Sequence, residues 1–299
     1  MRVLTVVVTH NRSKLLLRCI NAINSQSLAT NEILIINNGS TDDTEELLIK
    51  NNIPFIAQEN LGSAGGWNTG INYALENNFD YIWMMVDDGY PDQYSLQNLV
   101  NNLDESISCV SSIVVREDMP SRFVFSFPEI DSNGSPKILS FLRKVHRVED
   151  IIHDDSGLIP YAHLFNGALI SVSHIRSIGN VNPDYFMYGD EVDYYFRLRS
   201  VGRVVSSIQS KHFHPNILSR EYSLMRIYFN IKNNLINYQK HYDLKFIRKC
   251  VGPFIILMRV TRTNGLRFAV SLLIGKNAII FYKAIYRGFK LKLGHDFFE

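Results

Sequence analysis

Apolar positions near the start of the chain fall into short continuous runs separated by stretches of helical period. "VLTVVV" is largely β-branched, the pattern of a strand buried on both faces, and "KLLLRCINAINSQ" then spaces its apolar residues as a helix does. "EILIIN" predicts a second strand. "STDDTEELLIKNN" predicts a helix, with Ser40 or Thr41 as N-cap and acids in the first turn. "IPFIAQ" is a third, short strand that Pro54 places toward an edge. A glycine-rich turn, "GSAGGWNTG", leads into another helix, and "DYIWMMV" is the fourth strand. Strands alternating with helices across short loops predict an α/β fold with a mostly parallel sheet covered on both faces. Ligands bind such sheets beyond the carboxyl ends of the strands. Residues 9–12, 37–40, 60–66 and 87–88 therefore share one edge.

Further along, "ISCVSSIVV" reads as a strand, and "FVFSFPEIDSNGSPKILSFL" as two extended pieces around an "NG" turn. "LFNGALISVSHIRSIG" gives a strand and a short helix, and "GDEVDYYFRLRSVG" a helix opened by acids. After "KHFHPN" the chain is helical, basic and aromatic to its end. The expected organisation is a catalytic domain over 1–215, with halves of about 1–105 and 106–215, followed by a helical region over 216–299.

Composition adds an asymmetry. The net charge is only +2, yet 16 of the 31 Lys and Arg residues and only 4 of the 29 acids lie from Lys211 onward. A mildly acidic body with a basic tail suits an anionic neighbour, a phospholipid surface or a phosphorylated lipid, with nucleic acid also open on charge alone. Cys19, Cys109 and Cys250 are odd in number and lack C-x-x-C spacing, so neither a disulfide framework nor a zinc site is expected. The opening "MRVLTVVVTHNR" is too short for a signal peptide, and no window reaches the roughly 18 apolar residues of a spanning helix. A cytoplasmic protein, peripheral on the inner face of the cell membrane, is the expectation. The "NRS" and "NGS" acceptor patterns at Asn11, Asn38 and Asn133 carry little weight without export.

Candidate chemistry sits at the strand ends. "NLGSAGGWNTG" matches neither G-x-G-x-x-G nor a P-loop, and as an isolated cluster it equally suits close helix packing. An Asp pair after a strand is commonly a cap or turn. At the end of a parallel strand beside two other polar ends, however, Asp87 and Asp88 suit a divalent cation held against a diphosphate. "GDEVD" supplies acids that either favour a helix start or offer a general base. His212 and His214 are two apart and share a face if extended.

In their order along the chain, "VVVTHNRSKLLLRCINAI", "IINNGSTDDT", "NLGSAGGWNTGI", "YIWMMVDDGYP", "FNGALIS", "GDEVDYYFRLRSVG", "HFHP" and "RIYFNIKNN" resemble a family 2 inverting glycosyltransferase of the GT-A fold. The "NLGSAGGWNTG" and "IWMMVDD" wording, and the late "GFKLKLG", are most similar to galactofuranosyl- and rhamnosyltransferase-like members. The resemblance implies that Thr9, Asn11 and Arg12, with Asn37 or Asn38, surround the nucleotide, and that Gly62, Gly65 and Gly66 line the donor side. It places Asp87 and Asp88 on the metal-binding acidic motif, with His214 as a later ligand and His212 as its competitor. Glu191 matches the general base, Asp190 is the alternate, and Asp193 is a supporting acid.

The implied cofactor is Mn2+ or Mg2+. The implied reaction moves a sugar from a nucleotide-sugar donor to a hydroxyl of a glycan or lipid-linked glycan, with inversion, in bacterial surface polysaccharide biosynthesis such as capsule or O-antigen. UDP-galactofuranose is the first choice of donor, ahead of dTDP-rhamnose and UDP-hexopyranoses. Nucleic acid is not expected as a partner. The chain departs from the family at Val86, which replaces the first acid of the motif, at Asn37, which replaces an acid, and at Glu191, which replaces the commoner Asp. The alternative is a catalytically weak nucleotide- or glycan-binding partner in a polysaccharide assembly complex.

Overall fold

β1 (Val3–Thr9) is buried at all seven positions, so both faces of the sheet must be covered. Around it run α1 (Ser13–Asn24), β2 (Glu32–Asn38), α2 (Thr44–Lys50), β3 (Phe55–Gln58), α3 (Gly62–Glu76) and β4 (Tyr81–Val86). The four strands are parallel in the order β3-β2-β1-β4, with β3 at the edge as Pro54 requires. Val8 lies opposite both Ile36 and Val86, and Thr9 opposite Asn37. The carboxyl ends are therefore level, and Asp87 leaves the sheet beside Thr9.

The computed structural model describes residues 1–131, 134–138, 140, 143–151, 153, 155–216 and 221–297. Beyond β4 the sheet becomes mixed. The chain continues through β5 (Tyr90–Pro91), α4 (Ser95–Val100), β6 (Ile107–Arg116), β7 (Arg122–Phe127), β8 (Val145–Arg147), β9 (Leu158–Ile159), β10 (Asn166–Ser171), α5 (Val172–Ile178), α6 (Asp190–Arg199) and β11 (Arg203–His214). β10 inserts antiparallel between β4 and β6, and β11 runs parallel to β6. That last pairing carries His212 and His214 back toward the strand ends. Asn133 of the expected "NG" turn lies outside the described residues; around it Ile130 bridges antiparallel to Pro136, and β7 pairs with β8.

Two local expectations differ. Gly65, Gly66 and Gly70 sit inside α3 rather than in a turn before it. A Cβ on Gly66 would come within 2.6 Å of Val8 Cγ1, and one on Gly70 within 2.5 Å of Val6 Cγ1, so these glycines let the helix lie directly on β1. The second helix starts at Thr44, with Asp43 rather than Ser40 or Thr41 at its N-cap. The reason is that both hydroxyls are turned to Asn11: Ser40 Oγ accepts from the Asn11 backbone N–H at 3.0 Å, and Thr41 Oγ1 donates to Asn11 Oδ1 at 3.4 Å.

Two compact units emerge, Met1–Val181 with Tyr194–Asn216, and Asn182–Asp193 with Ile217–Glu299. The first has a core around Val7, Leu16, Ile35, Trp83 and Leu169, and a smaller cluster around Ile113 and Phe127. The second contains α7 (Leu224–His241), α8 (Lys245–Asn264), α9 (Leu266–Ile274) and α10 (Ala278–Phe289). α8 and α10 both pack on α7, and the core includes Tyr228, Ile231, Val260, Leu272 and Phe281. No single helix among the described residues is long and apolar enough to cross a membrane; α9 and α10 together reach that length but are bent by 66°.

Candidate active site

Arg12 occupies the N-cap of α1 in a non-helical conformation, which swings its side chain off the helix. Its Nη1 lies 2.8 Å from Asp87 Oδ1 and 2.7 Å from Asp88 Oδ2, bridging the two carboxylates. Thr9, the last residue of β1, donates its hydroxyl to the other oxygen of Asp87, Oδ2, at 2.7 Å. His214, the last residue of β11, places Nε2 3.1 Å from Asp88 Oδ1.

The two acids experience different surroundings. Burial raises the Asp87 carboxyl pKa above its ordinary value, against the pull of Arg12 and Thr9. Burial acts on Asp88 in the same direction, but His214 and Arg12 outweigh it and hold the carboxyl at about 2. Burial pulls the Arg12 guanidinium down, and the charges of both carboxylates more than offset this. Arg12 therefore stays charged, with Asp88 its ionised partner on the open side.

His214 bears on whether a divalent cation fits. Its Nδ1 is 2.8 Å from the Pro215 carbonyl oxygen, which only accepts, so Nδ1 carries the proton. Nε2 is then the ring atom turned toward Asp88 Oδ1, 3.1 Å away, and this contact is what holds the Asp88 carboxyl low. A ring nitrogen and a carboxylate oxygen this close, with a backbone carbonyl fixing the ring's orientation, suit a cation that would take the place of the proton between them. Among the described residues no three or more His, Cys, Asp or Glu groups converge as a complete cage. Asp88 and His214 thus fit a shared site whose remaining ligands would come from donor phosphates and water.

His212 is buried beneath the turn after Asp88. A Cβ on Gly89 would stand 2.2 Å from its Nε2, neither ring nitrogen has a hydrogen-bond partner, and burial lowers its pKa to about 3. The ring is accordingly neutral. Arg18 of α1, which sequence reading passed over as part of an amphipathic helix, donates to the Asp88 backbone carbonyl at 2.9 Å and pairs with Glu117 at 2.8 Å. Nothing in its spacing marks it, because its role depends on the curl of the chain after β4.

The remaining candidates divide between loops and units. Asn11 has φ 55° and ties the first loop to the second through Thr41 and Asp42. Asn37 Oδ1 accepts from Ser40 N, and its amide donates to Glu45. Asn38 bonds Gln58, Leu61 and the carbonyl of Gly62, so all three asparagines shape the strand-end loops. Asp190, Glu191 and Asp193 belong to the second unit, at the start of α6. There Asp193 Oδ1 is 2.8 Å from His241 Nε2 and accepts from Tyr185 at 3.3 Å. A recess of about 640 Å³, lined by Phe79, Asp80, Tyr81, Ser171 and Arg176, lies at the amino ends of β1 and β4, away from the carboxylate pair.

A sheet of this topology with carboxylates at the end of its fourth strand is the GT-A glycosyltransferase architecture, and similar solved structures agree. A mannosyltransferase from Pyrobaculum calidifontis, in complex with GDP-Man and Mn2+, superposes with a TM-score of 0.55 over 97% of this chain and 84% of its own, at 14% identity. Residues 1–349 of TarS from S. aureus give 0.54 over 95% and 81%, at 13% identity. Residues 5–157 match the sequence model of the family described as Glycosyl transferase family 2. Galactofuranosyltransferase GlfT1 of Mycolicibacterium smegmatis is 31% identical over 220 residues, 71% of this chain and 70% of that protein. GlfT1 of Mycobacterium tuberculosis is 28% identical over 222 residues, with the same coverage. The chain belongs to glycosyl transferase family 2, and its relatives include galactofuranosyltransferases.

Proposed function

We propose that this transferase moves a sugar, first choice galactofuranose from UDP-galactofuranose, to a hydroxyl of a glycan or lipid-linked glycan during bacterial surface polysaccharide synthesis. The observation that carries the reading is the Asp87–Arg12–Asp88 bridge at the end of β4, with His214 Nε2 3.1 Å from Asp88. The choice of donor is supported by the galactofuranosyltransferase relatives. dTDP-rhamnose and UDP-hexopyranoses stand behind it.

In this reading Thr9, Asn11, Arg12, Asn37 and Asn38 hold the nucleotide, and Gly62, Gly65 and Gly66 border the donor. Asp88 and His214 are the side chains that would hold Mn2+ or Mg2+, which would offset charge on the diphosphate leaving group. Glu191 takes the proton from the acceptor hydroxyl, with Asp190 as alternate and Asp193 in support. The hydroxyl oxygen bonds to the anomeric carbon as the bond from that carbon to the phosphate oxygen breaks, giving inversion in one displacement. The basic region 216–299 holds the enzyme peripherally at the inner face of the membrane, where a lipid-linked acceptor is presented.

General-base assistance is typically worth about 10² to 10⁴ in rate, so Glu191→Gln should lower turnover by that order while calorimetry shows nucleotide binding preserved. Turnover near wild type would remove Glu191 from the role. The broader test is a donor panel read by nucleotide release, with a membrane-lipid extract as acceptor, with and without chelator. Val86 in place of an acid supports a second reading, a binding partner with weak catalysis. That reading wins if nucleotide and metal bind but no donor turns over.

A further inference from the structure

α8, α9 and α10 each present two apolar stripes. The inner stripes close the core of the second unit through Ile256 and Val260, Ala269 and Leu272, and Phe281 and Ala284. The outer ones are left exposed by the described residues. On α8, Phe246, Cys250, Phe254 and Met258 are all exposed and recur every fourth residue, hence on one face. α9 repeats the pattern with Leu266, Val270 and Ile274, and α10 continues it with Ile279, Tyr282, Tyr286 and Phe289. Phe246, Ile274 and Ile279 are 76%, 84% and 79% exposed, far beyond what incidental surface apolar residues require. The α8 and α10 surfaces adjoin, since Lys249 Nζ stands 4.8 Å over the Phe289 ring.

Charge selects the occupant. Between Leu244 and Phe297 there are 11 Lys and Arg residues and a single acid, Asp296, which is buried and paired internally. Seven of the basic residues, from Lys245 to Lys292, are exposed. A second copy meeting this face would bring like charges together, and nucleic acid would leave the aliphatic stripes without a partner. An anionic lipid surface satisfies both chemistries at once, with apolar side chains at the acyl boundary and Lys and Arg among phosphates. We infer that the outer face of α8–α10 lies in the headgroup layer of an anionic phospholipid membrane, resting on it rather than crossing it. This rests on and deepens the peripheral attachment proposed above, and its test reads no sugar transfer.

Cys250 supplies a probe in the native sequence, because Cys19 and Cys109 are buried. The full chain, labelled there with a polarity-sensitive fluorophore, should blue-shift and float with phosphatidylcholine vesicles containing phosphatidylglycerol. With phosphatidylcholine alone it should do neither. Replacing Phe254, Ile274 and Ile279 together by Ser should weaken partition more than about tenfold. Arg267→Gln and Lys276→Gln should each weaken it about fivefold, and alkaline carbonate should release the wild-type protein. Because these side chains are exposed, the variants should keep the wild-type melting temperature. The inference is overturned by an unshifted probe, by equal flotation on neutral and anionic vesicles, or by a serine variant that floats like wild type. Wild-type dimers lost in that variant, RNA binding without vesicle binding, or resistance to carbonate would each overturn it as well.

Discussion

Asp87 and Asp88 are neighbours in the chain but differ in what each is placed to do. Asp87 is 2% exposed and bonded on both oxygens by Thr9 and Arg12, so it acts as an anchor for the first loop. Asp88 turns Oδ1 to His214 Nε2 at 3.1 Å, is held ionised, and is the better cation ligand. Asp88→Asn should therefore cut divalent-cation affinity, measured by calorimetry with nucleotide present, by at least the 10–100-fold typical of losing a supporting contact at a metal site. An unchanged affinity would remove Asp88 as a ligand. The same substitution tests linkage in the metal-free protein. A carboxyl held at about 2 contributes stability that is present above the unfolded value and lost as pH falls from about 4 toward 2, worth about 2–3 kcal/mol. Acid unfolding of wild type and Asp88→Asn should converge in that window. The Asp pair and His214 were legible in the sequence because their order along the chain places them at strand ends. Arg18 and the buried state of His212 were not, since both depend on how the turn at Gly89 folds back.

At the scale of elements, α7 acts as a clamp. Asn233 Nδ2 donates to the carbonyls of Tyr185, Met187 and Tyr188 at 2.8–2.9 Å, and Asn237 Nδ2 to that of Gly189 at 2.8 Å. These bonds hold a segment with positive φ at Phe186, Tyr188 and Gly189, a conformation that costs roughly 1–3 kcal/mol at each non-glycine residue and persists only when its surroundings impose it. The segment leads directly into Asp190 and Glu191. Asn233→Ala should leave carbonyls unpaired, cost about 1–3 kcal/mol of stability by urea denaturation, and lower kcat while the nucleotide Kd is kept. A stability loss with unchanged kcat would show the clamp to be structural only. The strand and helix alternation was readable from hydrophobic period, and the edge position of β3 from Pro54. The motif "RIYFNIKNN" was visible too, yet its purpose was not: an asparagine on a helix face says nothing about which loop it will bind. The glycines of α3 show the converse, since a phosphate cradle and close packing on Val6 and Val8 call for the same residues.

Across the whole chain, charge asymmetry was plain in the sequence but misleading where a basic residue is buried. Lys232 counts with the basic tail, yet it is wholly buried in the second unit, where Nζ donates to Asp296 Oδ1 at 2.7 Å and to the Gly294 carbonyl at 2.7 Å. Tyr228 donates to the same Asp296 oxygen at 2.9 Å, and Arg287 Nε is 3.1 Å from Oδ2. His295 stacks on Phe186, and Gly294 N donates to the Asp184 carbonyl, so the last described turn also holds the segment before the acidic helix. Burial alone would raise the Asp296 carboxyl; Lys232, Tyr228 and Arg287 outweigh it and bring it below its ordinary value. Burial lowers Lys232 in turn. For the pair the depressed carboxyl is the direction we stand behind, because three donors reach it. Removing one partner of such a pair strands the other in the interior, which typically costs about 3–5 kcal/mol. Asp296→Asn should accordingly lower the urea midpoint of the second unit, and the loss should shrink as pH falls below about 4, the unfolded value, and through the lower value of the folded carboxyl. Lys232→Met paired with Asp296→Leu should recover much of the stability, since neither charge is then buried alone. Hydrogen exchange of α7 and α10 amides reads these changes directly, and an Asp296→Asn protein with wild-type protection there would rule out the turn as the closure of the unit.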